Sequence, residues 1–329
     1  MSSEAYESSL DAALSWARER ARQLALEPEA DERTLTSLSG APPLRRALVL
    51  ANRVRGRGWR LCDQLLGLSE ESRSESPDRA VAAAQVAFEV AERLEDGWYG
   101  PRLVADVRAR AAAELADTRR LAGRPEEALG AMRSALDHLQ HGTGDPLLAG
   151  RVFEISAELL ADRGRPELAS ELLERASRLY LALGEGRAAG RVCYRRALLV
   201  EASREPLVRL DGLLQALELL DPQEDRDLAW RAIQELITLV VELGWLELGR
   251  ELIEEVRSLP AEATDPEDLA RMDELEERMA RVRRRSGRLG RVLPWAVAER
   301  SGVGNVVAFA LARTMPKRRR RGRAARARA

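Results

Sequence analysis

The chain has 329 residues, with 53 basic and 54 acidic side chains, a formal net charge of −1, 45% hydrophobic residues and only 4% aromatics. Sparse aromatics and an excess of Ala, Leu, Arg and Glu exclude a deep β-rich core and favour many thin amphipathic helices, because those side chains lose little rotamer freedom in a helix. Two cysteines in a chain this long exclude a disulfide framework, and the uncharged run at 301–312 is too short to span a bilayer.

Taken in chain order, residues 4–27 carry an apolar stripe (Leu10, Ala13, Leu14, Ala17) that predicts a first helix. The break Gly40-Ala41-Pro42-Pro43 precedes a second helical stretch over 44–68, and Ser76-Pro77 opens a third that runs to about 94. The run Asp96-Gly97-Trp98-Tyr99-Gly100-Pro101 is expected to turn the chain. From there helices pair regularly: 102–121 with 125–139, 146–162 with 166–183, 187–203 with 207–220, 227–243 with 246–259, and then a long helix over 266–285.

A repeat underlies this pairing. Gly123-Arg124-Pro125-Glu126-Glu127-Ala128 returns as Gly164-Arg165-Pro166-Glu167-Leu168-Ala169, with an echo from Gly244 to Gly249. Counting from each Gly, position +5 is Ala128, Ala169 and Gly249. Position +9 is Met132, Leu173 and Ile253, and position +12 is Ala135, Ala176 and Val256. The third repeat has Arg204 for the Gly but keeps Leu213 and Ala216 in the last two columns. Small residues let one helix approach the next, and the larger residue fills the gap between them. A period of about 40 residues marks a repeat array rather than one closed core.

These columns resemble the tetratricopeptide repeat over residues 56–286: a turn Gly, an Ala five residues on, a large apolar residue, then an Ala. The period is longer than that family's roughly 34 residues, the Trp and Tyr usual in its first helix are missing, and one turn has lost its Gly. Trp59-Arg60-Leu61-Cys62 also looks like the opening helix of a group of bacterial repeat proteins, a likeness that implies no activity. The resemblance implies an all-α fold, a right-handed helical-hairpin solenoid whose first helices (helix A) line a concave groove. The expected organisation is an N-terminal helical segment (1–55), the array (56–286), an apolar capping segment (287–316) and an Arg-rich tail (317–329).

Thirteen residues before each turn stand Arg110, Arg151, Arg191 and Arg231, which the resemblance places on the groove side of helix A. Two readings stay open. A ladder of guanidinium groups suits capture of an acidic peptide or tail, since the planar fork binds carboxylates bidentately. Alternatively the arginines form ion pairs inside the array, with Glu114 four residues after Arg110, Glu154 three after Arg151 and Glu235 four after Arg231. Tyr194 is the one aromatic in the neighbouring groove columns and a candidate contact.

His138 and His141 are the only histidines, spaced three apart without a supporting Cys or third His, and read as a helix end rather than a metal site. With no further His, no Ser-His-Asp triad assembles, and neither a Walker loop nor a dinucleotide fingerprint is present. The expectation is therefore a non-enzymatic, cofactor-free protein-binding scaffold with no small-molecule substrate evident.

The tail starting at Lys317, Arg318, Arg319, Arg320 and Arg321 holds one Lys and seven Arg without an acid, leaving about −9 on the rest. It supports an alternative, a regulator tethered to nucleic acid, or to an anionic membrane surface, by charge alone. The near-exclusive use of Arg over Lys is the bias a GC-rich bacterial genome gives, and with no secretory signal at the N-terminus a cytoplasmic location is expected.

Overall fold

The computed structural model describes residues 32–53, 58–200, 205–221, 224–257 and 266–286, with single positions between 14 and 30. The expected helix over 4–27 falls largely outside the described residues. The turn at Arg204, the capping segment 287–316 and the tail 317–329 fall wholly outside them. Among the described residues the protein is helical without strands, and consecutive helices pack as neighbours, the arrangement of a helical solenoid.

The helices are α1 (Glu32–Ser39), α2 (Pro43–Arg53), α3 (Trp59–Ser72), α4 (Pro77–Ala91), the single turn α5 (Asp96–Tyr99), α6 (Pro101–Leu121), α7 (Pro125–Gln140) and α8 (Pro146–Asp162). They continue as α9 (Pro166–Ala182), α10 (Gly186–Leu199), α11 (Pro206–Leu219), α12 (Arg226–Glu242), α13 (Leu246–Arg257) and α14 (Pro266–Ser286). The single helix expected over 44–68 is two, α2 and α3, and the turn at 96–101 contains the short α5. The chain forms two compact units, Met1–Arg165 and Pro166–Ala329.

Local chemistry sets the ends of the helices. Pro77, Pro101, Pro125, Pro146 and Pro206 each open a helix, where the missing N–H is no loss. Asp145 caps α8 by accepting from the Leu147 N–H at 2.9 Å. At the other ends Gly123, Gly164, Gly184 and Gly244 adopt φ of 69–77°. Each lets the next residue bond back five positions, as Arg124 N–H does to the Arg119 carbonyl and Trp245 N–H to that of Val240. Gly184, outside the sequence repeat, makes the same turn between α9 and α10.

In the first unit α3 packs on α4, α4 on α6, and α6 on α7 and α8. The α6–α7 seam is built from alanines (Ala112, Ala116, Ala128, Ala131, Ala135) around Met132 and Leu115. On the flank, Arg46 of α2 is buried and forks onto Glu89 of α4, at 2.8 and 2.7 Å. In the second unit α10 packs against α9 and α11, and α12 gathers α11, α13 and α14 around Ile233, Leu236 and Ile237. The repeat columns are core throughout: Ala128, Ala135, Ala169, Ala176, Leu213, Ala216, Ile253 and Val256 are fully buried. A Cβ on Gly249 would sit 3.1 Å from Met279 Sδ, which is why that column tolerates nothing large.

Replacing Ala135 by Leu is expected to lower unfolding free energy by about 1–3 kcal/mol through overpacking. Gly123→Ala, strained only by its left-handed backbone, is expected to lower it by about 1–2 kcal/mol. Urea unfolding followed by the helical signal measures both; an unchanged midpoint for Ala135→Leu would contradict the close α6–α7 seam.

Candidate functional site

Helix α6 lies between α3 and α8, and the three first helices of the unit form a row. Because the alanines of α6 bring its neighbours close, side chains at the seams are buried even when charged. Glu114 and Asp117 are each 5% exposed and Glu154 of α8 is 4% exposed. Burying a carboxylate without partners is costly, so each must meet cations or donors.

Arg73, just past the end of α3, supplies most of this. It donates to both Glu114 oxygens and reaches Asp117 at 3.0 Å, while the buried Ser69 hydroxyl donates to Glu114 at 2.7 Å. Asp117 also receives Arg120 at 3.0 Å and Arg151 at 3.3 Å, so three arginines converge on one carboxylate. Arg151 further pairs with Glu154 at 3.5 Å, and Arg120 with Asp162 at 3.3 Å. Burial pushes the Glu114 carboxyl above the ordinary range, against the opposing pull of Arg73 and Ser69.

Two of the ladder arginines meet on this face. Arg110, Arg151, Glu70 and Glu114 line a small cleft of about 40 Å³ floored by Leu66 and Ile155. A cleft of this size holds a few waters or the head of one side chain. Arg110 is half-exposed and pairs at 2.7 Å with the equally exposed Asp63 of α3, not with Glu114, which Arg73 has taken.

The other ladder members lie in the second unit. Arg191 of α10 sits 3.8 Å from Asp225, at the start of α12. Its stronger partner is Arg187, which forks onto Asp225 at 2.8 and 3.1 Å and also bonds Glu224. The Arg187 hydrogen bonds hold the Asp225 carboxyl below the ordinary range. Arg231 is exposed, and Glu235, the partner expected for it, bonds Arg209 instead at 2.6 Å. Tyr194 is 8% exposed and joins the core, and burial raises its pKa; its ring is not open to a partner. His138 contacts Glu92 at 3.2 Å, and His141 Nδ1 donates to the Asp137 carbonyl at 2.8 Å. Among the described residues no group of three or more His, Cys, Asp or Glu is placed to hold a metal, and no helix is long and apolar enough to cross a membrane.

Sequence reasoning passed over Arg73, Arg120, Arg187 and Asp225. A signal was available: Arg73 and Glu114 are 41 residues apart, Arg120 and Asp162 are 42, and Arg187 and Asp225 are 38. Opposite charges one repeat apart mark contacts between successive repeats.

No family model matches the chain, and no curated protein does. Among solved structures it is similar to BtubC (BKLC) from P. vanneervenii, at 20% identity and a TM-score of 0.49, over 75% of this chain and 96% of that one.

Arg73→Ala is expected to lower stability by about 2–3 kcal/mol, less than the roughly 3–5 of a fully buried pair because Arg73 is partly exposed. Arg110→Ala, which breaks a surface pair, is expected to lower it by less than about 1 kcal/mol. Equal losses in denaturant melts would remove the distinction between inner and outer arginines.

The pH dependence has two signs. Glu114, raised in the fold, contributes its share fully below the unfolded value of about 4.3 and loses it as pH rises through its folded value. Asp225, depressed in the fold, contributes above the unfolded value of about 3.9 and loses its share as pH falls through its folded value. Stability measured against pH should therefore flatten on the rising side in Glu114→Gln and on the acid side in Asp225→Asn. Unaltered profiles would contradict these assignments.

Proposed function

We propose that this chain is a non-enzymatic scaffold of tetratricopeptide type, acting in the cytoplasm, whose helix A face captures an acidic segment of a protein partner. The observation that carries this reading is the Arg110–Asp63 pair at the rim of the cleft. Both side chains are about half-exposed, so an incoming carboxylate can replace Asp63 on the guanidinium with little loss. Arg151 stands on the far side of the same cleft, 36% exposed and held in orientation by Asp117 and Glu154. A fixed cation facing an exchangeable one is a workable receptor for an acidic side chain.

Support for the tetratricopeptide character comes from the buried small–large–small columns and the turn Gly at positive φ. Both thiols are buried, and desolvation raises both, Cys62 to about 12, which keeps them protonated at neutral pH.

The test is binding of labelled acidic octapeptides, followed by fluorescence anisotropy, to the wild-type chain and to Arg110→Glu. Charge reversal is expected to weaken binding at least about tenfold, or 1.4 kcal/mol, with the chain still fully folded at the assay temperature. Equal binding by Arg110→Glu would remove the rim arginine from the function. If no acidic peptide binds while generic duplex DNA does, and deletion of 317–329 abolishes that, the Arg-rich tail is the working part instead.

A further inference from the structure

We infer that Glu70 decides which acidic segments this face takes: it selects a segment whose acidic residue has a lysine or arginine two residues away, and it turns away a run of acids. That selection rests on the carboxylate capture at Arg110 proposed above, and it adds a second, opposite charge to what the cleft reads. Glu70 and Arg110 line the same cleft, one from α3 and the other from α6. On α3, Asp63, Leu66 and Glu70 stand at i, i+3 and i+7 and so share one face. Asp63 pairs with Arg110 at one end of that face, Leu66 floors the cleft, and Glu70 lines it further along.

Glu70 differs from the other acids around it. Glu114 is held by Arg73 and Ser69, Asp117 by Arg73, Arg120 and Arg151, and Glu154 by Arg151. Among the described residues no ion pair or hydrogen bond takes the Glu70 carboxylate, which is exposed. When an incoming carboxylate replaces Asp63 on Arg110, the nearby cations are already engaged. Arg151 serves Asp117 and Glu154, and Arg73 serves Glu114 and Asp117. Glu70 is then an anion without a counterion beside a bound anion. A basic side chain on the ligand neutralises it, whereas a second acid meets like charge, and a repulsive element of this kind discriminates between partners.

The spacing sets where that base must lie. From Asp63 to Glu70 the helix advances roughly 10 Å. Side chains two residues apart on an extended peptide point the same way and stand roughly 7 Å apart. The flexible stem of a lysine or arginine spans the remainder. The cleft, about 40 Å³, admits one side-chain head, so the acid enters it and the base stays at the exposed rim with Glu70. Because the groups at the rim are exposed, each such contact changes affinity by about twofold to fivefold rather than by orders of magnitude.

The probes are two labelled nine-residue peptides with a central glutamate, flanked two residues away on each side by lysine in one and by glutamate in the other. Each is titrated into the full-length chain and read by anisotropy, and the quantity of interest is the ratio of the two affinities. The wild-type chain is expected to favour the lysine-flanked peptide by about tenfold, the product of an attraction gained and a repulsion avoided. Glu70→Gln should lower that ratio at least about threefold, and Glu70→Lys should reverse the preference. Glu71→Gln makes the same change of net charge at an exposed neighbour outside the cleft lining, and should leave the ratio nearly as it is. Neither Glu70 variant removes a contact within the fold, so both are expected to melt as the wild type does. A ratio unchanged by Glu70→Gln, or lowered as far by Glu71→Gln, overturns the role of Glu70 while leaving the capture at Arg110 standing, provided Arg110→Glu still weakens both peptides. If neither peptide binds, or Arg110→Glu leaves both bound as before, the capture at Arg110 falls and the role of Glu70 falls with it.

Discussion

The buried carboxylates of α6 are the constraint around which the first unit is organised. Glu114 and Asp117 sit in the seams where α6 meets α3 and α8, and there they are drawn out of water by alanines that hold the helices close. A desolvated carboxylate left alone would cost several kcal/mol, a large share of an ordinary domain's stability, or would take up a proton. The arginines of three successive stretches, Arg73, Arg120 and Arg151, are therefore tied to one place. Each is also half of a contact between neighbouring repeats. In a linear array, stability is the sum of such interfaces, and the charge cluster is one interface that cannot slip by a turn without leaving a charge unpaired.

The preference for arginine follows from that geometry. Asp117 accepts from three guanidinium groups, and Arg73 bonds two carboxylates at once. A planar fork with five donors can divide itself in this way; an ammonium on a flexible stem presents a point charge and loses more freedom per bond. The same device recurs in the second unit, where Arg187 forks onto Asp225 while bonding Glu224. The Arg-for-Lys bias, read from composition as a trace of base content, thus also has structural use.

What the sequence made legible was local. Prolines at the first helical position, the Gly at each turn and the small–large–small columns are decided within one helix and its next turn, and they placed most helix ends within a few residues. Ion-pair partners were legible only in part: Arg151 does pair with Glu154 three residues on, while the other partners depend on what each carboxylate meets across the seam. Glu114 stands four residues after Arg110, a good spacing on an isolated helix, yet it turns inward to Arg73 and Ser69 and leaves Arg110 to Asp63. Glu235 leaves Arg231 in the same way, for Arg209. Tyr194 was read as a groove residue from its column, but its helix buries that column. Gly184 escaped notice because it repeats the turn without repeating the letters around it.

These differences sort the arginines by what a partner could take from them. Arg73 is committed to two buried carboxylates, and an incoming anion that displaced it would strand both charges. At the rim, Arg110 has a partner that water can replace, so exchanging one carboxylate for another there is nearly neutral. Arg151 stands between these limits, with an exposed edge on the cleft and two buried carboxylates behind it. If this face captures a carboxylate as proposed, its selectivity is set less by how many arginines line it than by how few can change partners. A ladder of identical residues in the sequence becomes, in the fold, a graded set with a single readily exchanged rung in the first unit.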